Sequence, residues 1–443
     1  MEYPSRWKSR GTIKLGKIVF KNKVKHSFNL SVEDLAQHMF ITGITGTGKS
    51  NFLQNFLIEF TKHHPDIPFL ITEFKGEYHH LQDRIGDLLI LKPGENFSLN
   101  IFDPQAVNYQ IHAERVFKIF ESGGLLENID YSPQMEAVFV EILRTVIGNP
   151  KFRSWKGFER ISKQYLRDHK DLTYKKSVIA VQNRIRRYYV GTLKQIFDTK
   201  SSVTVQDLFS HKVLLDLHPI IKLGGEKEDA LFFLNMVLKY LWDRNIVLGS
   251  RDYAGIRHVT IIEDAQYFAP QELSARTKLT SYIEDIALLL RGTGECLITL
   301  ATRPNISKEI LSNAGVLVCF QLHMQKDLMK QLLNLQEWQE KYLSELKKGQ
   351  CVVRVNSVEK PFALQCDYVK RHWLSDEQIR KNNRRIIESK INKVEQKIEK
   401  KMEEIKVKNP ELIQEIENSN PSTEKKSFDQ MLREKRAFCK LCK

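Results

Sequence analysis

The stretch MFITGITGTGKSNFLQNFL, Met39 to Leu57, constrains this chain more than any other. An apolar run enters a glycine-rich turn, the turn ends in Lys-Ser, and a helical apolar pattern begins at once. Gly43-Ile44-Thr45-Gly46-Thr47-Gly48-Lys49-Ser50 fits G-x-x-x-x-G-K-[ST] without a mismatch. The glycines let the backbone turn its N–H groups inward, where they cradle a phosphate. Lys49 is placed to reach β- and γ-phosphate oxygens and the Ser50 hydroxyl to ligate Mg²⁺. The N-terminal end of the following helix faces the same anion. Four fixed positions arise by chance in roughly one chain in fifty of this length. The context is more demanding than that, because Phe52, Leu53, Phe56, Leu57 and Phe60 also fall on one helical face. ATP and Mg²⁺ are the expected cofactors, with Gly43, Thr45, Gly46, Thr47, Gly48, Lys49, Ser50 and Asn51 as the nucleotide-binding set.

Such a loop needs an acidic residue at the end of a neighbouring strand to help hold the metal. HVTIIEDAQ supplies Val259-Thr260-Ile261-Ile262 and then Glu263-Asp264. By position Glu263 is the metal-side candidate, beside Ser50, and Asp264 the base that polarises the attacking water. Two further strand ends carry polar groups: Glu73 and Glu77 in FLITEFKGEY, and Thr302 and Arg303 in LITLATRPN. Ligands of open parallel sheets bind beyond the carboxyl ends of the strands, which makes Thr302 and Arg303 candidates for sensing the γ-phosphate. Arg291, before Gly292, is a candidate for charge stabilisation from a neighbouring subunit; a surface charge or salt bridge is the plainer alternative for either arginine.

Short apolar runs recur at 39–42, 68–72, 212–217, 258–264, 295–302 and 315–322, several with a helical pattern downstream. Continuous apolar runs separated by helices predict strands buried on both faces. The expected fold class is α/β: a RecA-like P-loop NTPase core with a mainly parallel sheet flanked by helices, a helical insertion and a charged helical C-terminal tail. The expected organisation is a short β-rich segment at 1–38, a reduced barrel. The P-loop part of the core follows at 39–110, a helical insertion at 111–205, and the remainder of the core at 206–370. A charged tail fills 371–443. GQCVVRV and PFALQCDYV suggest a closing hairpin. In the tail, Ile387, Ile391, Val394, Ile398, Met402 and Ile405 form a stripe that suits either a coiled coil or packing on the chain's own domain.

The 443 residues are 42% hydrophobic, enough for a sizeable core, and carry a formal net charge of +15. That excess suits an anionic partner, nucleic acid first, or a lysine-rich solvated surface. No apolar run approaches the ~20 residues of a membrane span. The N-terminal MEYPSRWKSRG has no apolar signal core. Cys439 and Cys442 form a C-x-x-C without a second pair at zinc spacing. The expectation is a cytoplasmic, reduced protein without a membrane span.

Several pieces, in order along the chain, resemble the HerA/FtsK superfamily of P-loop motor ATPases, in its HerA-like branch. They are HMFITGITGTGKSNFL, GEY at 76–78, LNIFDP at 99–104, SPQ at 132–134, VLLDL at 213–217, IIEDAQYFAP, RGTGECLITLATRPNISKEILSNAG and GQCVVR. The resemblance spans roughly Lys14 to Val369. It implies a hexameric ring of RecA-like cores that hydrolyses ATP and translocates along double-stranded DNA as a helicase-type motor. A nuclease or other effector partner is implied, in DNA end processing or anti-phage defence. Lys49, Ser50, Glu263, Asp264 and Arg291 match family positions for phosphate, metal, acidic pair and an arginine acting across the subunit interface. Three positions depart from the family pattern: Arg303 stands where Gln is usual, Gln266 where His is usual, and Glu73 where Asp is usual.

Candidate DNA contacts are KLGGEK (222–227) and the Arg276/Lys278 segment, either equally an ordinary exposed loop, and Arg184, Arg186 and Arg187 with Tyr188 and Tyr189, for which a helix face packing its tyrosines inward is the favoured reading. Two other functions share these features. One is a soluble ATPase subunit of a conjugation or secretion apparatus. The other is an ATP-regulated scaffold that holds an effector through the tail.

Overall fold

The computed structural model describes residues 10–105, 107–121, 133–197, 203–251, 255–271, 281–390 and 392. The apolar runs become strands: β1 (Ile13–Phe20), β2 (Lys23–Leu30), β3 (Met39–Thr42), β4 (Phe69–Glu73), β5 (Leu88–Leu91), β6 (Lys212–Asp216), β7 (His258–Ile262), β8 (Glu295–Ala301), β9 (Val316–Cys319), β10 (Gln350–Val355) and β11 (Phe362–Gln365). They form one 11-stranded sheet in the order β2-β1-β11-β10-β9-β3-β8-β7-β4-β6-β5. From β9 across to β5 every neighbouring pair is parallel. From β9 outwards through β10, β11, β1 and β2 every pair is antiparallel. The N-terminal hairpin thus extends the sheet through β11, and the hairpin expected near residues 349–369 links it to the core.

The composition of each strand follows its place. β3, β5 and β9 are buried at every residue, as strands covered on both faces must be. Alternate side chains then belong to different cores. Phe40, Leu70, Leu215 and Leu317 join one cluster with the helices Tyr109–Phe120, Pro133–Gly148 and Lys227–Leu248. Met39, Ile41, Ile71 and Val318 join the other, against Leu53, Phe56 and Phe60 of the Lys49–His63 helix. The described part of 111–205 contains helices and 3₁₀ turns and no strand. The Lys227–Leu248 helix is buried around its circumference, with Phe232, Phe233, Leu234, Met236, Val237 and Leu238 all inside. It is the axle on which the other helices of that face pack.

Two polar devices finish the framework. The helix over 376–390 lies along β5, the last strand of the sheet. Its buried Asn383 donates to the Ile90 carbonyl (2.7 Å) and accepts the Ile90 N–H (3.0 Å), which satisfies backbone that an edge strand leaves open. Ile379 and Ile386 are buried on the same helix, and Ile387, the first residue of the expected stripe, packs half-buried against the core, so the described start of the tail packs on its own domain; the rest of the expected stripe lies outside the described residues.

The second device is His38, just before β3. Its Nδ1 accepts the Leu297 N–H at 3.0 Å and its Nε2 donates to the Ala287 carbonyl at 3.1 Å. Both bonds are made by the neutral ring, and burial lowers its pKa to about 4. The folded ring therefore titrates below the unfolded one, near 6.5. Its contribution to stability is intact above pH 6.5 and is lost as the pH falls towards 4, to the extent of about 3 kcal/mol. Urea unfolding at pH 7.5 and pH 4.5 should show a loss that His38→Gln, which can keep both hydrogen bonds without titrating, largely removes. An equal pH dependence in the two proteins would count against this role.

Candidate functional site

The loop after β3 is held in an inward-facing turn. Gly43, Gly46 and Gly48 all take positive φ, at 142°, 85° and 124°. At Gly46 the conformation alone calls for glycine, since an added Cβ would meet nothing. At Gly43 space calls for it too, because a Cβ would stand 2.6 Å from Cβ of Phe320, just after β9. Neighbouring strands pin the loop from behind: the Ile44 N–H donates to the Gln321 carbonyl (2.9 Å) and the Gly349 N–H to the Thr47 carbonyl (2.8 Å). Thr47 turns its hydroxyl onto the Ile44 carbonyl at 2.7 Å, so it serves the loop's own shape. Lys49 bends back along the loop, its Nζ donating to the carbonyls of Gly43 (2.6 Å) and Ile44 (3.2 Å). Burial lowers its pKa, against the opposing pull of Asp264 and Glu263.

The acidic pair arrives on β7, which β8 separates from β3. Ser50 Oγ donates to Glu263 Oε1 at 3.2 Å, a contact across 213 residues of sequence. The same oxygen accepts the Tyr78 hydroxyl at 2.8 Å, while Glu263 Oε2 is buried without a protein partner. Burial first, then the neighbouring Asp264 and Glu77, push the Glu263 carboxyl up to about 7, and the Tyr78 hydrogen bond opposes them. Asp264 adopts the left-handed conformation, φ 52°, which aspartate tolerates better than most residues. One carboxylate oxygen pairs with Lys75 Nζ at 2.8 Å, and the other accepts Gln266 Nε2 at 3.2 Å. Gln266 also accepts the Thr302 N–H at 3.2 Å, which ties the acid to the end of β8. Behind the pair, buried Glu73 accepts the Glu77 N–H (2.7 Å) and lies 3.8 Å from His79, itself 3.0 Å from Asp216. Burial, with Asp216 and Glu263 adding repulsion, raises the Glu73 carboxyl well above its usual range.

Loop and acids share one cavity of about 700 Å³, whose lining includes Thr45, Gly46, Gly48, Lys49, Ser50, Asn51, Glu263, Asp264 and Thr302. Of the other expected residues, Gly43 and Thr47 support the loop from outside the lining. Asn51 lines the cavity, but its side chain amide is committed to the backbone of Asp367 and Val369. Arg303 is exposed next to Thr302 and does not line the cavity. Arg291 is exposed before the start of β8, at the opposite end of that strand from the loop. Tyr188 is buried with its hydroxyl on Asp229 at 2.7 Å, and Arg187 pairs with the same carboxylate at 2.6 Å, so this part of the basic-aromatic cluster packs inward. KLGGEK connects the helices His218–Lys222 and Lys227–Leu248; Arg276 and Lys278 lie outside the described residues.

Sequence reading left Lys75, Tyr78, Tyr368 and Arg371 unassigned. The first two had a signal, since they flank or belong to the GEY turn after β4. The others enter from the segment after β11, distant in sequence from every motif.

The donor set suits a magnesium ion held together with a nucleotide. Ser50 Oγ, the unpartnered Glu263 Oε2 and the adjacent Asp264 offer oxygen ligands, and the loop offers amides. Among the described residues no group of three or more His, Cys, Asp or Glu could hold a metal. Oxygen donors of this kind fit Mg²⁺, which binds through one or two carboxylates together with phosphates and water. No helix of the described residues is long and apolar enough to cross a membrane.

The family described as "Helicase HerA, central domain" matches residues 13–239, just over half of the chain. Among solved structures, VirB4 of Thermoanaerobacter pseudethanolicus aligns with a TM-score of 0.62 at 13% identity, over 81% of this chain and 97% of that one. The plasmid coupling protein TrwB in complex with ADP and Mg²⁺ aligns with a TM-score of 0.55 at 10% identity, over 85% and 95%. At such identities the likeness is one of fold, the helix-flanked and mostly parallel sheet of RecA-like P-loop ATPases. No curated protein matches the sequence.

Tyr78→Phe should expose what the buried hydroxyl does. It removes the phenolic donor to Glu263, so the carboxyl should titrate above 7. At pH 8, where the acid must ionise, the loss should cost about 1–3 kcal/mol. A lowered urea midpoint at pH 8, with a smaller change at pH 6, is the expected result; equal midpoints at both would remove Tyr78 from this role.

Proposed function

This chain belongs to the HerA helicase central-domain family and is a P-loop ATPase, and from that premise we propose that it is an ATP-driven translocase on double-stranded DNA. The observation that carries the proposal is the 3.2 Å contact from Ser50 to Glu263, which joins the phosphate loop and the acidic strand end in one cavity. The loop from Gly43 to Ser50 would bind the triphosphate of ATP. Lys49 would exchange the carbonyls of Gly43 and Ile44 for β- and γ-phosphate oxygens. Ser50 and Glu263 would hold Mg²⁺, which supplies neutralisation of charge on the transferring phosphoryl group. Asp264, on release from Lys75, would orient and polarise the attacking water. Gln266 would pass the state of Asp264 to Thr302 and the end of β8, with Arg303 beside it.

Arg291 lies too far along β8 to serve its own cavity. Its role as a stabilising charge requires a neighbouring copy, and a hexameric ring is the assembly we propose. A net charge of +15 suits a partner whose backbone is gripped through its phosphates. A nuclease or other effector would complete the working complex, as the family resemblance implies. A second function keeps the same core: an ATPase subunit of a conjugation apparatus. It is favoured by the fold shared with TrwB, a bacterial conjugative coupling protein.

Duplex DNA should raise ATP turnover several-fold. Unchanged turnover with duplex, beside stimulation by single strands or by neither, would favour the second function or a scaffold. Lys49→Ala should abolish turnover with an unchanged circular-dichroism spectrum. Asp264→Asn should bind ATP yet slow hydrolysis by about a hundredfold or more, as a binding assay beside phosphate release would show. Turnover surviving in Lys49→Ala would refute the site assignment.

A further inference from the structure

The phosphate loop and acidic pair account for only part of the cavity. Its volume of about 700 Å³ lies in the range that encloses a whole drug-sized ligand. The sheet order gives it two sides: β7 and β4, with their carboxylates, lie on one side of β3, and β10 and β11 on the other. On that second side the chain leaves β11 as a strap across the first turn of the Lys49–His63 helix. Asn51 holds the strap at two points, donating to the Asp367 carbonyl (2.8 Å) and accepting the Val369 N–H (2.8 Å). Further on, Arg371 lies 3.7 Å from Glu77 and His372 bonds Asp83 at 2.7 Å.

Tyr368 sits between the two points that Asn51 clamps. Its neighbours Cys366 and Val369 are buried, yet Tyr368 is 82% exposed and lines the cavity. A large aromatic side chain is thus carried on backbone fixed to the phosphate-binding helix itself. Gln365, which also lines the cavity, donates its amide to the carbonyls of Gly349 (3.3 Å) and Cys366 (3.4 Å).

We propose that Tyr368 is the nucleobase platform of this cavity, stacking its ring on the base of the nucleoside triphosphate whose phosphates the loop holds. The assignment rests on the cavity being a nucleotide site. With the γ-phosphate end directed to Glu263 and Asp264, the base leaves towards the side the acids do not occupy, where the strap stands. Stacking uses the face that every base presents, and the backbone that carries the ring, already clamped, has little conformational freedom to lose on binding. Asn51 acts here as a positioning residue, because it fixes the strap rather than touching the base.

The test is calorimetric titration of the full chain, in Mg²⁺, with a non-hydrolysable analogue in place of ATP and separately with inorganic tripolyphosphate, which has the phosphates and no base. Tyr368→Ala should weaken the analogue about tenfold, the usual effect of losing one base–aromatic stack, and leave tripolyphosphate unchanged. Tyr368→Trp should keep the analogue within about twofold of wild type. Analogue binding unchanged in Tyr368→Ala would overturn the proposal, as would an equal loss of both ligands, which would mark a role in the phosphate end. Wild-type protein that bound neither ligand would instead overturn the nucleotide site, and the base platform with it.

Discussion

The inward turn of the backbone between Gly43 and Gly48 is the constraint on which the rest of the molecule depends. A loop with several positive φ angles and converging N–H groups is not a low-energy state of a free chain. It persists because its outer surface is fully engaged. The Gln321 carbonyl and the Gly349 N–H take the loop's peptide groups, and Phe320 fills the space that a side chain at Gly43 would need. The antiparallel strands beyond β9 therefore do more than enlarge the sheet. They supply the back wall that holds the loop's shape, and they deliver the strap that Asn51 clamps.

The opposite wall is shaped by the cost of buried charge. Glu263, Asp264, Glu73 and Asp216 lie close together behind or beside the cavity. Buried carboxylates repel and lose hydration, and they answer by taking protons or partners. Glu263 is held near neutrality, Glu73 is pushed higher, Asp216 has His79, and Asp264 has Lys75. This arrangement leaves an acidic site poised for a cation: one oxygen of Glu263 is unpartnered, and the half-exposed Lys75 pairs with the buried Asp264.

Support for both walls comes from elements far from the chemistry. The Lys227–Leu248 helix anchors one face of the sheet, and the Lys49–His63 helix anchors the other. His38 couples the start of β3 to β8 and to the Ser281–Leu289 helix through a ring that must stay neutral. Asn383 covers the backbone of β5. Each device satisfies peptide groups that burial would otherwise leave unpaired.

The phosphate loop, the acidic pair and most parallel strands were legible in the residues because their signals are local. A glycine turn between a strand and a helix is specified within one short window, and a strand buried on both faces must be apolar at every position. β5 has no helical pattern to bracket it, since only the 3₁₀ turn His79–Asp83 separates it from β4. Charge and aromatic content at 184–189 suggested either DNA or packing, and only the folded chain could choose, by bringing Asp229 to Tyr188 and Arg187. Arg291 and Arg303 have the same residue chemistry as any ligand contact; strand direction puts one at the end of β8 opposite the loop and the other just outside the lining. Tyr368 carries no motif at all. Its standing comes from a clamp between Asn51 and residues more than three hundred positions later, and long-range pairing of that kind leaves no periodic trace in the chain. Local backbone chemistry is written in neighbouring residues; which distant side chains meet across a cavity is settled by sheet order and packing alone.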